Sequence, residues 1–182
     1  MGLCVCELHV QARKVDGPDS PRAVLRASLR RHRTIQRQLT VPDRKRQLLW
    51  HGTLLFLLGL IVGFIEQKFA NPRMGLAAHL EGLMNGTFLI ALGAIWTEVK
   101  LSARLNATAY LGALYGTYGN WAITSFAAIF GTSSMTPITG SGHRGLLWQE
   151  RVVTFGFASV GIAIVIAVTV ILWGLRRTKQ SG

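Results

Sequence analysis

His79, Glu81 and Asn85 fall within one apolar stretch, where polar groups are rare unless they have a task. Ionisable side chains at membrane depth are costly and usually face a partner, a cavity or a cofactor. At 100° per residue, Gly75, Gly82, Gly86 and Gly93 lie on the same side of a helix as His79. They make a smooth stripe with one imidazole on it. Glu81 and Asn85, four residues apart, form a neighbouring polar strip. Two readings follow. A flat cofactor lies against the stripe, with Gly82 and Gly86 allowing close approach and His79 binding its metal, since imidazole is a haem ligand. Alternatively, Gly82-x-x-x-Gly86 is a helix-contact spacing and His79 hydrogen-bonds a neighbouring helix. Spacing alone leaves both open.

The remaining polar groups carry less. His51 stands near the start of an apolar run, where an interfacial imidazole can simply be hydrated, and His143 lies in a Gly-rich loop. A third apolar run contains Tyr115, Tyr118, Asn120 and Trp121 near its middle, too deep for an interfacial aromatic belt. Aromatic walls with an amide and phenols would suit a small aromatic ligand; plain packing is the other reading. Glu98 and Glu150 sit at segment ends, and Glu150 suits the positive end of a helix dipole. Cys4 and Cys6 are too few for a zinc site and cannot staple a fold. No Ser-His-Asp arrangement, phosphate loop or HExxH motif is present.

The elements that must position these residues are long and apolar. Of 182 residues, 49% are hydrophobic and 15% charged, well below the roughly 25% charged of soluble domains. Four runs are long enough to span a bilayer, and the pattern predicts helices over about 48–66, 76–97, 107–130 and 151–174. Strands fit poorly, because the runs are long and show no alternation. In lipid a helix satisfies its own backbone, whereas an open sheet does not. The expected fold is all-α, a four-helix transmembrane bundle over 47–177, with a basic and disordered N-terminal arm over 1–46 and a short tail over 178–182.

Charge orients the bundle. The net charge is +12, and 11 of the 20 Lys and Arg lie between Arg13 and Arg46. A basic segment next to a membrane-length run is explained by attraction to anionic lipid, so nucleic acid is not expected as a partner. Four spans put both termini on one side, with the connection after the second helix. That side carries 12 Lys and Arg near the helix ends against 4 on the other, which predicts cytoplasmic termini. The first 46 residues do not have the pattern of a signal peptide.

Several segments together resemble a known family. Asn71-Pro72-Arg73-Met74-Gly75-Leu76, Ala78-His79-Leu80-Glu81-Gly82 and Met84-Asn85-Gly86 resemble bacterial hydroxylaminobenzene mutases. So do His51-Gly52, Leu55-Phe56-Leu57-Leu58-Gly59, Tyr115-Gly116-Thr117-Tyr118, Asn120-Trp121, Met135-Thr136-Pro137-Ile138, Gln149-Glu150 and Leu172-Trp173-Gly174-Leu175. The resemblance spans 49–177. A more remote likeness is to styrene oxide isomerase, whose family is a four-helix, trimeric membrane protein with haem b between subunits. Its haem-ligating histidine is followed six residues later by a pocket asparagine, and His79 and Asn85 repeat that spacing. Its pocket tyrosine has no counterpart: Thr124 holds the matching place, with Tyr118 nearly two turns earlier. That departure favours the mutase over epoxide isomerisation.

The resemblance implies an isomerase of the bacterial inner membrane, a homotrimer, that rearranges a small aromatic substrate, an arylhydroxylamine, to a 2-aminophenol. It implies ferric haem b on His79, beside Gly82 and Gly86, acting as a Lewis acid. Asn85 would orient the substrate, with Tyr118 and Asn120 in the pocket wall. No net redox change occurs, so no nicotinamide or flavin is needed. The competing expectations are epoxide-to-aldehyde isomerisation on the same haem, and a haem-binding or small-molecule transport protein without catalysis.

Overall fold

The computed structural model describes residues 43–176. Residues 1–42 of the basic arm, with the Cys4 and Cys6 pair, and the C-terminal tail lie outside the described residues; the last part of the arm is not disordered as expected, because Asp43 caps the first helix and Arg44, Lys45 and Arg46 begin it. Four helices and no strand are found among those described: α1 (Arg44–Ile65), α2 (Pro72–Ile95), α3 (Ala103–Phe130) and α4 (Leu147–Arg176). Short 3₁₀ turns at Glu66–Lys68 and Trp96–Glu98 close α1 and α2.

Each helix starts one turn earlier than its apolar run, at 44, 72, 103 and 147. The first turn of a helix carries N–H groups without intrahelical partners, so it tolerates polar residues and caps that hydropathy does not register. Asn71 shows this best. Its side chain accepts from the Met74 N–H at 3.2 Å, and Pro72 fills the position where no N–H is needed. The segment Asn71-Pro72-Arg73 is therefore a helix start. At α4, the Gln149 side chain accepts from the Leu146 N–H at 2.7 Å. α3 ends at Gly131, whose φ of +65° is cheap only for glycine.

α1, α2 and α4 are long and apolar enough to cross a membrane by length and composition. α3 has 28 residues, about 42 Å at helical rise. It falls short of that apolar measure because Asn106, Tyr110, Tyr115, Tyr118, Asn120 and Trp121 interrupt it. The outer surface is apolar: Phe64 is 88% exposed, Phe155 72% and Met84 70%.

Helices adjacent in sequence pack on one another, α1 on α2, α2 on α3 and α3 on α4. α1 also touches α3, whereas α4 makes no extended contact with α1 or α2. One apolar core nonetheless takes residues from all four helices, Leu48 and Leu55, Leu89 and Leu92, Ala109 and Ala113, and Ala167 and Ile171. The arrangement follows from the faces available. α3 uses Ala113, Thr117 and Thr124 beside α2, while Gly112, Gly116 and Gly119 meet Ala167, Ile164 and Val160 of α4. These two faces leave α4 on the far side of α3 from α1.

The loop from Gly131 to Leu146 is tied down at both ends. The Glu150 carboxylate accepts from the N–H groups of Ser133, Ser134 and Gly145, each at 3.0 Å. Asn71, fully buried, donates from Nδ2 to the Thr139 carbonyl at 2.8 Å. Glu150 thus clamps a loop, a more specific role than the helix-dipole partner expected of it.

Candidate active site

His79 is held in one tautomer. Its Nδ1 lies 2.8 Å from the carbonyl oxygen of Gly59 on α1. A carbonyl only accepts, so Nδ1 is the donor in this contact and Nε2 is the nitrogen left open. Nε2 has no hydrogen-bond partner among the described residues and is not enclosed. Gly63 makes room for the ring, because a Cβ there would stand 2.5 Å from Nδ1. An imidazole anchored through one nitrogen to a backbone carbonyl, with the other nitrogen free, is the arrangement that metal-ligating histidines adopt.

The glycine stripe belongs to helix packing, which corrects the expectation that Gly82 and Gly86 cradle a cofactor. A Cβ on Gly82 would lie 2.4 Å from the Gly59 Cα, and one on Gly86 would lie 2.6 Å from the Phe56 backbone nitrogen. Gly52 opposes Gly86 in the same way. The face is filled by α1 and leaves no space for a flat group. Its value to His79 is indirect: close backbone approach is what brings the Gly59 carbonyl within reach. Gly52, Gly59 and Gly63 repeat at seven and four residues, and that spacing on α1 was the available signal for this contact.

A second polar set lies between α2 and α3. Glu81 Oε2 accepts from Asn120 Nδ2 and from Thr124 Oγ1, the latter at 3.1 Å. One turn further along α2, Asn85 Nδ2 donates to the Thr117 carbonyl at 3.4 Å. Asn85 and Asn120, both candidates by sequence, therefore share the α2–α3 contact. Thr124 and Thr117 complete it; their i, i+4 and i, i+3 spacing to Asn120 placed them on one face of α3.

Tyr118 joins a different group. Its hydroxyl donates to the His51 carbonyl at 3.0 Å and lies 3.3 Å from His51 Nδ1, and the two rings meet edge to face. No hydrogen bond links it to Asn85 or Asn120 among the described residues. His51, expected as a hydrated interfacial residue, is tied to this tyrosine. Tyr115 turns the other way and bonds Ser159 of α4 at 2.8 Å. Trp121 packs over Gly82, with its indole N–H buried and unpartnered. The aromatic run on α3 therefore does not form a single wall.

His79 and the α2–α3 polar set leave α2 in different directions. Two residues apart on a helix is about 200° and six is about 240°. Glu81 and Asn85 accordingly face α3, while His79 faces α1.

A bare ion would need several protein ligands. No group of three or more His, Cys, Asp or Glu that could supply them occurs among the described residues. His79 offers one free nitrogen on a half-buried ring at an apolar surface. These features fit a metal that arrives with most of its ligands, as haem iron does.

Comparison with known proteins gives one consistent result. The model of the family described as styrene oxide isomerase matches residues 44–176. Hydroxylaminobenzene mutase HabB of Ectopseudomonas oleovorans is 43% identical over 144 residues, covering 79% of this chain and 88% of that protein. Hydroxylaminobenzene mutase HabA of the same organism is 39% identical over 127 residues, covering 69% of this chain and 94% of that protein. No solved structure matches.

Proposed function

The chain belongs to the styrene oxide isomerase family, alongside the hydroxylaminobenzene mutases, and from that premise we propose that it rearranges an arylhydroxylamine to a 2-aminophenol. It is an isomerase; the substrate, the cofactor and the assembly are the proposal. The observation that carries the reading is the tautomer of His79, with Nδ1–H on the Gly59 carbonyl and Nε2 free.

His79 would hold haem b through Nε2. When bound, the haem supplies a Lewis acid for the N–O bond. The protein's own part is binding and orientation. Asn85, Asn120 and Glu81 offer hydrogen-bonding groups to a substrate that carries both N–H and O–H. Tyr118, engaged with His51, shapes the wall from further away. Substrate and product are isomers, so the reaction consumes no electrons.

Because His79 and Asn85 face different neighbours, a site using both is best completed between copies of the chain. This supports a homo-oligomer, and a trimer is the form proposed. Four spans are proposed as well. α3 packs along both α2 and α4, so it must cross wherever they do. Both termini are placed in the cytoplasm, by the 12-to-4 excess of Lys and Arg on that side. The membrane is the bacterial inner membrane, from which an apolar aromatic substrate can enter laterally.

The test is product analysis with purified protein in detergent. Phenylhydroxylamine should yield 2-aminophenol, faster than styrene oxide yields an aldehyde. The reverse preference would replace this reading with epoxide isomerisation. No turnover of either would leave a binding or transport role.

A further inference from the structure

Tyr115 and Ser159 have no part in the site proposed above. Both are exposed, and their hydroxyls bond one another at 2.8 Å across α3 and α4. They stand at the deep end of a groove on the outer surface of the bundle. Its volume is about 350 Å³, and its walls are Thr108, Leu111, Gly112 and Tyr115 of α3 with Ala163 and Ile166 of α4. The small residues Gly112 and Ala163 leave it unfilled.

The polar atoms along this groove are already satisfied. Ser159 Oγ donates to the Gly156 carbonyl at 2.9 Å and so accepts from Tyr115. Thr108 Oγ1 donates to the Arg104 carbonyl at 3.2 Å. A polar occupant would find few partners there, whereas an apolar chain needs none.

The mouth of the groove is charged. Arg104 is exposed, one turn before Thr108 and eleven residues before Tyr115. At 100° per residue Arg104 and Tyr115 point within about 20° of each other. The Lys100 N–H donates to the Gly174 carbonyl at 3.1 Å. That bond holds the link before α3 against the end of α4, where Trp173 and Arg176 are exposed. Against Lys100, Arg104 and Arg176 the link carries one carboxylate, Glu98.

The dimensions match a single leaflet. Arg104 to Tyr115 is about 16 Å at helical rise, and a leaflet is half of a hydrocarbon core roughly 30 Å thick. An acyl chain in the groove would enter at the level of Arg104 and end at Tyr115 and Ser159, near the midplane. Its headgroup would lie among the three cations, beside Trp173 in the place of an interfacial anchor. Cations at that level favour a negative headgroup over a zwitterionic one.

We infer that the α3–α4 groove binds an anionic phospholipid, with one acyl chain along Gly112 and Ala163 and the phosphate at Arg104. The site needs α3 to cross the membrane and is independent of the reaction proposed above.

The test is native mass spectrometry of the purified full chain in detergent, with phosphatidylglycerol or phosphatidylcholine added at equal concentration. Phosphatidylglycerol should stay bound several-fold more than phosphatidylcholine. Arg104→Gln should lower its retention about fivefold, the worth of one basic residue at an anionic surface. Lys45→Gln, at the same end but on α1, should leave it unchanged. Ala163→Phe, which fills the groove, should release the lipid. If that variant is not recovered folded, Thr108→Phe on the exposed wall decides. Equal retention of the two lipids would overturn the inference, as would equal losses in Arg104→Gln and Lys45→Gln, which mark diffuse attraction. A groove-filling variant that keeps its lipid would also overturn it. So would displacement of the lipid by inorganic phosphate, which marks a site for free anions.

Discussion

His79 Nδ1 and the carbonyl oxygen of Gly59 lie 2.8 Å apart, across a glycine-lined close approach between α1 and α2. A single hydrogen bond fixes which nitrogen of His79 is free. The glycines on both helices make that bond possible, so packing and chemistry share one interface.

Gly63 should be sensitive for this reason. A Cβ there would stand 2.5 Å from His79 Nδ1 and push the ring off the Gly59 carbonyl. Gly63→Ala should leave the helices assembled and lower haem content several-fold. The ratio of haem to protein absorbance measures it. Full occupancy would show that the ring needs no such anchor.

Gly82→Ala tests the packing half. Its Cβ would meet the Gly59 backbone at 2.4 Å, with no flexible side chain to yield. Overpacking of this kind costs on the order of 3 kcal/mol. Thermal unfolding in detergent should show a clear drop in midpoint. Gly161→Ala, with nothing within 4 Å, is the control and should be unchanged.

Asn85 and Tyr118 should separate. Asn85→Ala should retain haem and lose at least about tenfold in turnover, because its amide lies on the face proposed for substrate. Tyr118→Phe removes a bond to the His51 carbonyl and should cost about 1 kcal/mol of stability. Its turnover should change less than that of Asn85→Ala. Steady-state kinetics on the two proteins checks the order.

Glu150→Gln should loosen the loop after α3. Three backbone N–H groups now share a charged acceptor, and Gln keeps only one acceptor oxygen. The expected loss is about 1–2 kcal/mol. Amide exchange over 131–146 should rise while exchange within α1 and α2 stays unchanged.

Much of this was legible in residue order. Four apolar runs of bilayer length announced four helices, and the Lys and Arg bias suggested an orientation. The first turn of each helix was not visible, because caps such as Asn71 obey hydrogen bonding rather than hydropathy. His79 stood out by type and place. The purpose of Gly82 and Gly86 did not, since a glycine stripe suits a flat ligand and a helix backbone equally well. Only the matching glycines of α1 decide between them. Glu81 was visible as a costly residue, but its fixation by Asn120 and Thr124 required two helices to be brought together. Tyr118 and Asn120, two residues apart in sequence, were grouped as one wall; the helix turns them about 200° apart, toward different neighbours.

The central claim is that His79 holds a haem, and an absorbance spectrum tests it most directly. Purified wild-type protein should show a Soret band, and His79→Ala, still folded and helical, should lose both the band and the rearrangement of phenylhydroxylamine. A colourless wild-type protein that still forms 2-aminophenol, or a Soret band that survives in His79→Ala, would contradict it.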